Sequence, residues 1–370
     1  MKRMILKSVA ALAAMAVVGM ASAQERTLKM NLNGPETHPA AAGMKKFAET
    51  VAARTNGRIK VNLFFNGALG SDQAVVSALK GGTVELSVMN SGILASEVKE
   101  MALFDFPFLF ANEKESDAIV DGPIGKKMHA ALEAKGLVGL SYWELGYRQI
   151  SNSKRAIQKV DDIEGLKLRV IPNPINIDWV KALGGNPTPL PFPEVYAALE
   201  QKAIDGQENP VSVIAANKFW EVQKFLVLSN HQYNPQSVLM SKKVWDSLSA
   251  ADRKIIDDAA DEATQTQRTE ARAAVAANLE LLKKNGMTVT QLSPAEMNKL
   301  REKNETRDRE IHRLGGRGHG QGSSGGTRQT APVNQPGPMQ AMGHCAQPLP
   351  HAAGAFYRLP GNRAPCVLAA

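Results

Sequence analysis

Thr27-Leu28-Lys29-Met30-Asn31-Leu32-Asn33 alternates apolar and polar side chains, and the chain from there to Met89 repeats one plan. The alternation predicts a strand with one face buried. An amphipathic helix is expected over Ala40–Arg54, a second strand over 58–65, and a turn at Asn66-Gly67 and Gly70. A helix over 71–80 stops at Gly81-Gly82, and 84–89 forms a third strand. Strands alternating with helices at this spacing imply an α/β fold on a parallel sheet, because parallel neighbours need a crossover between them.

The same plan continues outward. A strand over 136–142 leads into Trp143 and Arg148, another over 166–171 is cut off by Pro172, and 173–183 and 192–201 have helical spacing. A short strand begins at Ile204 before a turn at Asn209-Pro210, followed by a helical stretch over 211–219 and an apolar strand over 225–228. The apolar run 104–110, interrupted by Pro107, suits buried packing. Ser249-Ala250-Ala251-Asp252 resembles a capping box, and it starts a polar, Ala-rich helix reaching about Lys284, long enough to cross from one lobe to another.

The ends of the chain differ from this core. Lys2, Arg3 and Lys7, an apolar run over 9–20 and then Ala21-Ser22-Ala23 form a secretory signal, with cleavage expected after Ala23 and a periplasmic destination. Residues 311–370 hold 11 Gly, 7 Pro, 5 Arg, both cysteines (Cys345 and Cys366) and no acidic residue, a composition expected to stay disordered. Back-translated with GC-rich codons and moved by one nucleotide, 316–322 yields Gly-Glu-Ala-Thr-Val-Lys-Ala, an ordinary helical end, so the tail reads as an out-of-frame product. Of the formal net charge of +8, the signal supplies three and the tail five, leaving residues 24–310 neutral. The basic balance therefore does not point to nucleic acid. The remaining length suits two lobes.

Residues 147–210 carry the chemistry. Tyr147-Arg148-Gln149, then Gly165-Leu166-Lys167-Leu168-Arg169-Val170, then Asp205-Gly206-Gln207-Glu208-Asn209-Pro210 place two arginines and an Asn at strand ends and loops, without a metal or nucleophile motif. The planar guanidinium matches a carboxylate with two parallel hydrogen bonds, which a lysine does not reproduce. The block suits holding a carboxylate chemically unchanged.

These residues sit in a longer pattern: 65–72, 105–110, 162–170, 191–199 and 205–210 occur in the order found in one family. Residues 24–305 resemble the extracytoplasmic solute receptors of tripartite ATP-independent periplasmic (TRAP) transporters, the family named for C4-dicarboxylate uptake. The resemblance implies a two-lobed α/β periplasmic binding protein with hinge strands and a long lobe-spanning helix. It implies lobe I at 24–145 plus 235–274 and lobe II at 146–234 plus 275–310. It further implies Arg169 as the bidentate carboxylate anchor, Arg148 and Asn209 as supporting contacts, and Phe192 packed beside the ligand. Asn33, Asp72 and Asn90 match first-lobe positions that reach the rest of it. Asn90 stands where sialic acid receptors tend to carry an acidic residue.

Each residue also has a structural alternative. Arg169 suits an ion pair, Arg148 a brace between lobes, Asn209 a turn before Pro210, and Phe192 or Trp143 core packing. Asp72 suits a helix cap, His38 an exposed turn, and Glu208 a partner for an arginine. The function expected is a monomeric receptor capturing a small organic acid, either a C4-dicarboxylate or a sugar acid, and delivering it to a membrane permease, with no cofactor or metal. A sensor feeding a membrane kinase would use the same cleft. An enzyme acting on an organic acid lacks any catalytic constellation, since His38, His129 and His231 fall in no such motif.

Overall fold

A computed structural model describes residues 25–315. The expected signal segment and the tail beyond Gly315 lie outside the described residues; the last helix, Pro294–Gly315, continues past the expected start of that tail.

Nine strands build one sheet: β1 (Arg26–Leu32), β2 (Ile59–Phe64), β3 (Leu86–Asn90), β4 (Leu137–Asn152), β5 (Lys167–Val170), β6 (Asn186–Pro189), β7 (Gly206–Pro210), β8 (Phe225–Ser241) and β9 (Thr288–Gln291). Their order is β2-β1-β3-β8-β4-β7-β5-β6, with β9 beside β8. Pairing is parallel within β2-β1-β3 and within β7-β5-β6, as the crossover helices require. It is antiparallel where β8 meets β3 and where β4 meets β8 and β7, so the sheet is mixed and not purely parallel.

The antiparallel centre gives the molecule two lobes. β4 and β8 are long enough to serve both, pairing with each other from Leu137↔Ser241 to Asn152↔Phe225. One apolar core lies under β1, β3 and the helix Ala40–Arg54, and another packs on the opposite face through Leu79, Met101, Phe104 and Leu132. The far half has its own pair of cores, around Leu168, Trp179 and Val180 and around Leu199, Ile214 and Phe219. The expected short strands at 136–142 and 225–228 are thus the ends of much longer ones, and Asn209 lies inside β7 and not in a turn.

The helix Ala250–Lys284 crosses the molecule as its capping signal predicts. Ser249 Oγ accepts the Asp252 amide at 3.0 Å. Ile256, Ala259, Ala260 and Ala263, spaced for one helical face, enter the first lobe's core, and Leu282 enters the second's. Midway, the helix grips β4. Trp143 Nε1 donates to Thr264 Oγ1 at 3.1 Å, so this tryptophan is core and not cleft wall. Gln267 accepts the Glu144 amide and donates to the Glu144 carbonyl, both at 2.8 Å. That double contact falls beside the register break between Glu144 and Gly146.

Replacing Gln267 by Leu would leave a buried N–H and C=O unpaired, at about 1–3 kcal/mol each. Urea unfolding of Gln267→Leu is expected to show a loss of roughly 3 kcal/mol. A loss below about 1 kcal/mol would mean that β4 does not depend on this contact.

Candidate functional site

A cavity of about 60 Å³ lies between the lobes, where β3, β4, β5, β7 and β8 converge. Its walls include Asn33, His38, Asp72, Asn90, Arg148, Arg169, Phe192, Asn209 and Gln236. Every residue singled out in the sequence as a ligand contact therefore borders one space. The second lobe contributes Arg169, Phe192 and Asn209, and the first contributes Asn33, Asp72 and Asn90.

Arg169 is 3% exposed, on the inner end of β5. Its Nε donates to the Leu190 carbonyl at 2.9 Å, which fixes the plane of the fork. Among the described residues its two Nη groups have no hydrogen-bond acceptor. The guanidinium carbon lies 5.8 Å from the centre of the Phe192 ring. Burial, only partly offset by Glu208 and Asp72, pulls its pKa down to about 10, so it stays protonated at neutral pH. A buried cation of this kind favours an arriving anion.

Arg148 is held differently. Its Nε and Nη2 both meet the Glu208 carboxylate, the latter at 2.8 Å, and Nη2 also donates to the Glu208 carbonyl. Glu208 is fully buried; burial alone would raise its pKa, but Arg148 and His231 outweigh this and hold it at about 2. Glu208 is thus the arginine partner that the sequence suggests, and Arg148 reaches the cavity with most of its hydrogen-bonding capacity used. Asn209 Nδ2 donates to Gln207 Oε1 at 2.6 Å, leaving its second amide hydrogen for the cavity.

The opposite wall is polar but short of cations. Asn33 Nδ2 donates to Asp72 Oδ1 at 2.7 Å. Ser71, not Asp72, caps the helix Asp72–Gly81 by accepting the Ala74 amide, which leaves Asp72 in the cavity wall at the positive end of that helix. Burial raises the Asp72 pKa to about 6 against the pull of Arg169 and the Asn33 hydrogen bond. Asn90 Oδ1 accepts the Gly92 amide at 2.8 Å. His38 is buried and not an exposed turn: its ring folds back over Gly34, and Nδ1 accepts the Ala40 amide at 3.1 Å.

Two groups stand outside the ligand contacts expected from the sequence. Gln236 enters the cavity from the middle of β8, a strand whose central part has no apolar alternation to betray it. Asp105, fully buried beside the hinge, receives Asn234 Nδ2 at 3.0 Å and Asn173 Nδ2 at 2.8 Å. Asn173 caps the second-lobe helix Pro174–Ala182, so this carboxyl ties the lobes together.

Two lobes joined by paired strands, with an arginine-centred anion cavity between them, define a solute-binding receptor. The chain belongs to the bacterial extracellular solute-binding protein family 7, the DctP family of TRAP solute-binding proteins, whose pattern matches residues 30–313. It is 37% identical over 257 residues to the 2,3-diketo-L-gulonate-binding periplasmic protein YiaO of Escherichia coli, covering 70% of this chain and 78% of that one. The sugar acid binding protein DctPAm of Advenella mimigardefordensis, solved with galactonate, superposes with a TM-score of 0.77 at 41% identity, over 78% of this chain and 94% of that one. A TRAP periplasmic solute-binding protein of Sulfurospirillum deleyianum with bound succinate gives 0.75 at 32% identity, over 78% and 95%. Members of the family are solute-binding receptors. Among the described residues no helix is long and apolar enough to cross a membrane.

Burial pushes the Asp105 pKa from 3.8 up to about 7, with Arg148 pulling the other way. The folded state then holds a proton that the unfolded state has lost between those values, so stability from this residue falls as pH rises from 3.8 to 7. Asp105→Asn has no such proton, and it shares His38, His129 and His231 with the wild type. From pH 5 to pH 8 the melting temperature of the variant should therefore change more favourably than that of the wild type; identical changes would refute a raised Asp105.

Proposed function

We propose that this chain is the periplasmic receptor of a TRAP transporter, capturing a small organic acid, a C4-dicarboxylate or a sugar acid, and delivering it unchanged to a membrane permease. The observation that carries this reading is Arg169: a buried cation whose Nη groups face the cavity without a protein acceptor. A carboxylate placed there receives two parallel charge-assisted hydrogen bonds, with Asn209 supplying a third donor and Phe192 an apolar side wall. No proton donor or nucleophile is asked to act, and the ligand leaves as it arrived.

The lobes proposed, 24–145 plus 235–274 and 146–234 plus 275–310, touch each other beside the cavity. Thr37 Oγ1 donates to the Ala216 carbonyl at 3.2 Å. A Cβ on Gly67, whose φ is +67°, would come within 2.9 Å of Pro193 from the other lobe. A ligand held between the lobes would enter as they part and be enclosed as they close around it.

Arg169→Lys keeps the charge and removes the fork. Its Kd for the ligand is expected to rise about thirtyfold, roughly 2 kcal/mol, by isothermal titration, with the ligand recovered unaltered. An unchanged Kd would remove Arg169 from the binding site.

A further inference from the structure

The next step rests on the receptor reading and narrows its ligand. Among the described residues lining the cavity, Arg148 is already neutralised by Glu208, and His38 is uncharged because burial lowers its pKa to about 4. Arg169 and Asp72 remain, and no ion pair joins them. One carboxylate on Arg169 meets the only cation on offer. A second carboxylate on the same molecule would extend toward Asp72, where like charges repel in a site shielded from water.

The first-lobe wall is built for hydroxyls. Asn90 Nδ2 and Gln236 Oε1 are both buried and lack a hydrogen-bond partner among the described residues. Asn90 and Gln236 stand opposite each other in the β3–β8 register, so their side chains emerge on one face about 5 Å apart. One of these atoms donates and the other accepts. A hydroxyl serves both at once, whereas a carboxylate only accepts and meets Gln236 only if that amide, which no described hydrogen bond fixes, turns its N–H group toward it. Asp72 Oδ2, free of any described hydrogen bond, accepts a further hydroxyl.

We propose that the ligand is a hydroxylated monocarboxylate, its carboxylate on Arg169 and its hydroxyls on Asp72, Asn90 and Gln236, and that the site rejects dicarboxylates of the same length.

Isothermal titration of the purified full chain with matched acids tests this. Galactonate and galactarate differ only in a terminal alcohol against a second carboxylate, and erythronate and butyrate only in hydroxyls. Galactonate is expected to bind at least about tenfold tighter than galactarate, and erythronate at least about tenfold tighter than butyrate or succinate. Asp72→Asn, which keeps the shape and removes the charge, should shrink the galactonate-to-galactarate preference by about tenfold. Gln236→Leu should shrink the erythronate-to-butyrate preference similarly. If either variant fails to fold, the wild-type ratios decide alone. Galactarate or succinate binding as well as its partner overturns the proposal and leaves the receptor reading standing. Binding of none of these acids overturns both.

Discussion

Two arginines are buried at one cleft, and only one of them already has its anion. Glu208 reaches Arg148 from the neighbouring strand β7 with both carboxylate oxygens, and His231 lies 3.5 Å from the same group. Without that partner Arg148 would be a second open cation, and desolvating it would cost several kcal/mol. With it, the pair is closed on itself and the anion-seeking character of the cleft falls on Arg169. The strand geometry enforces this division. Arg148 and Glu208 lie on hydrogen-bonded antiparallel neighbours, while Arg169 sits one strand further out, with its Nε tied to Leu190.

The same central strands make the two lobes one machine. β4 and β8 run through both, and the register of their ladder slips three times, the last at Arg148–Ile150. There β8 bows away from its partner, and Gln149 fills the gap by accepting the Ser229 and Asn230 amides at 2.8 and 3.0 Å. Such breaks bend a strand and re-aim its side chains. They turn Arg148 inward and leave the crossing with fewer main-chain ladder bonds to resist flexing. The long helix restrains that flexing by gripping β4 at Glu144 and by ending in the second lobe's core.

The sequence makes the helices and the outer strands plain, because there an apolar stripe faces a core and a polar one faces water. Ala40–Arg54 and Ala250–Lys284 fall where spacing and capping place them. That contrast is missing in β8, where Ser229, Gln232, Asn234, Gln236 and Ser237 are all buried polar residues. Hydrophobic periodicity carries no signal in a strand that buries polar groups to serve a site, so only its apolar start at 225–228 is visible. Asn209-Pro210 has the chemistry of a turn, but the ladder with β4 overrides it. Arg169 was legible because a cation within an apolar strand has few structural uses. Gln236 was not, because one buried amide resembles any other until its neighbours are known.

Closure depends on how the recognition groups are divided. A ligand that touched only Arg169, Phe192 and Asn209 would bind the open and closed forms equally and shift neither. On the proposed reading, the first-lobe groups Asn33, Asp72, Asn90 and Gln236 would become partners only when the lobes meet, and whatever they bind would supply the differential affinity for closure. Anchor and selector are therefore separate. The arginine would accept any accessible carboxylate, and a molecule would be retained only if its far end satisfied polar groups otherwise buried unpaired. A poorly matched acid would leave Asn90 and Gln236 as they stand here, buried and without partners, and the closed form would lose its advantage. On this reading, selection would be exercised through closure more than through capture.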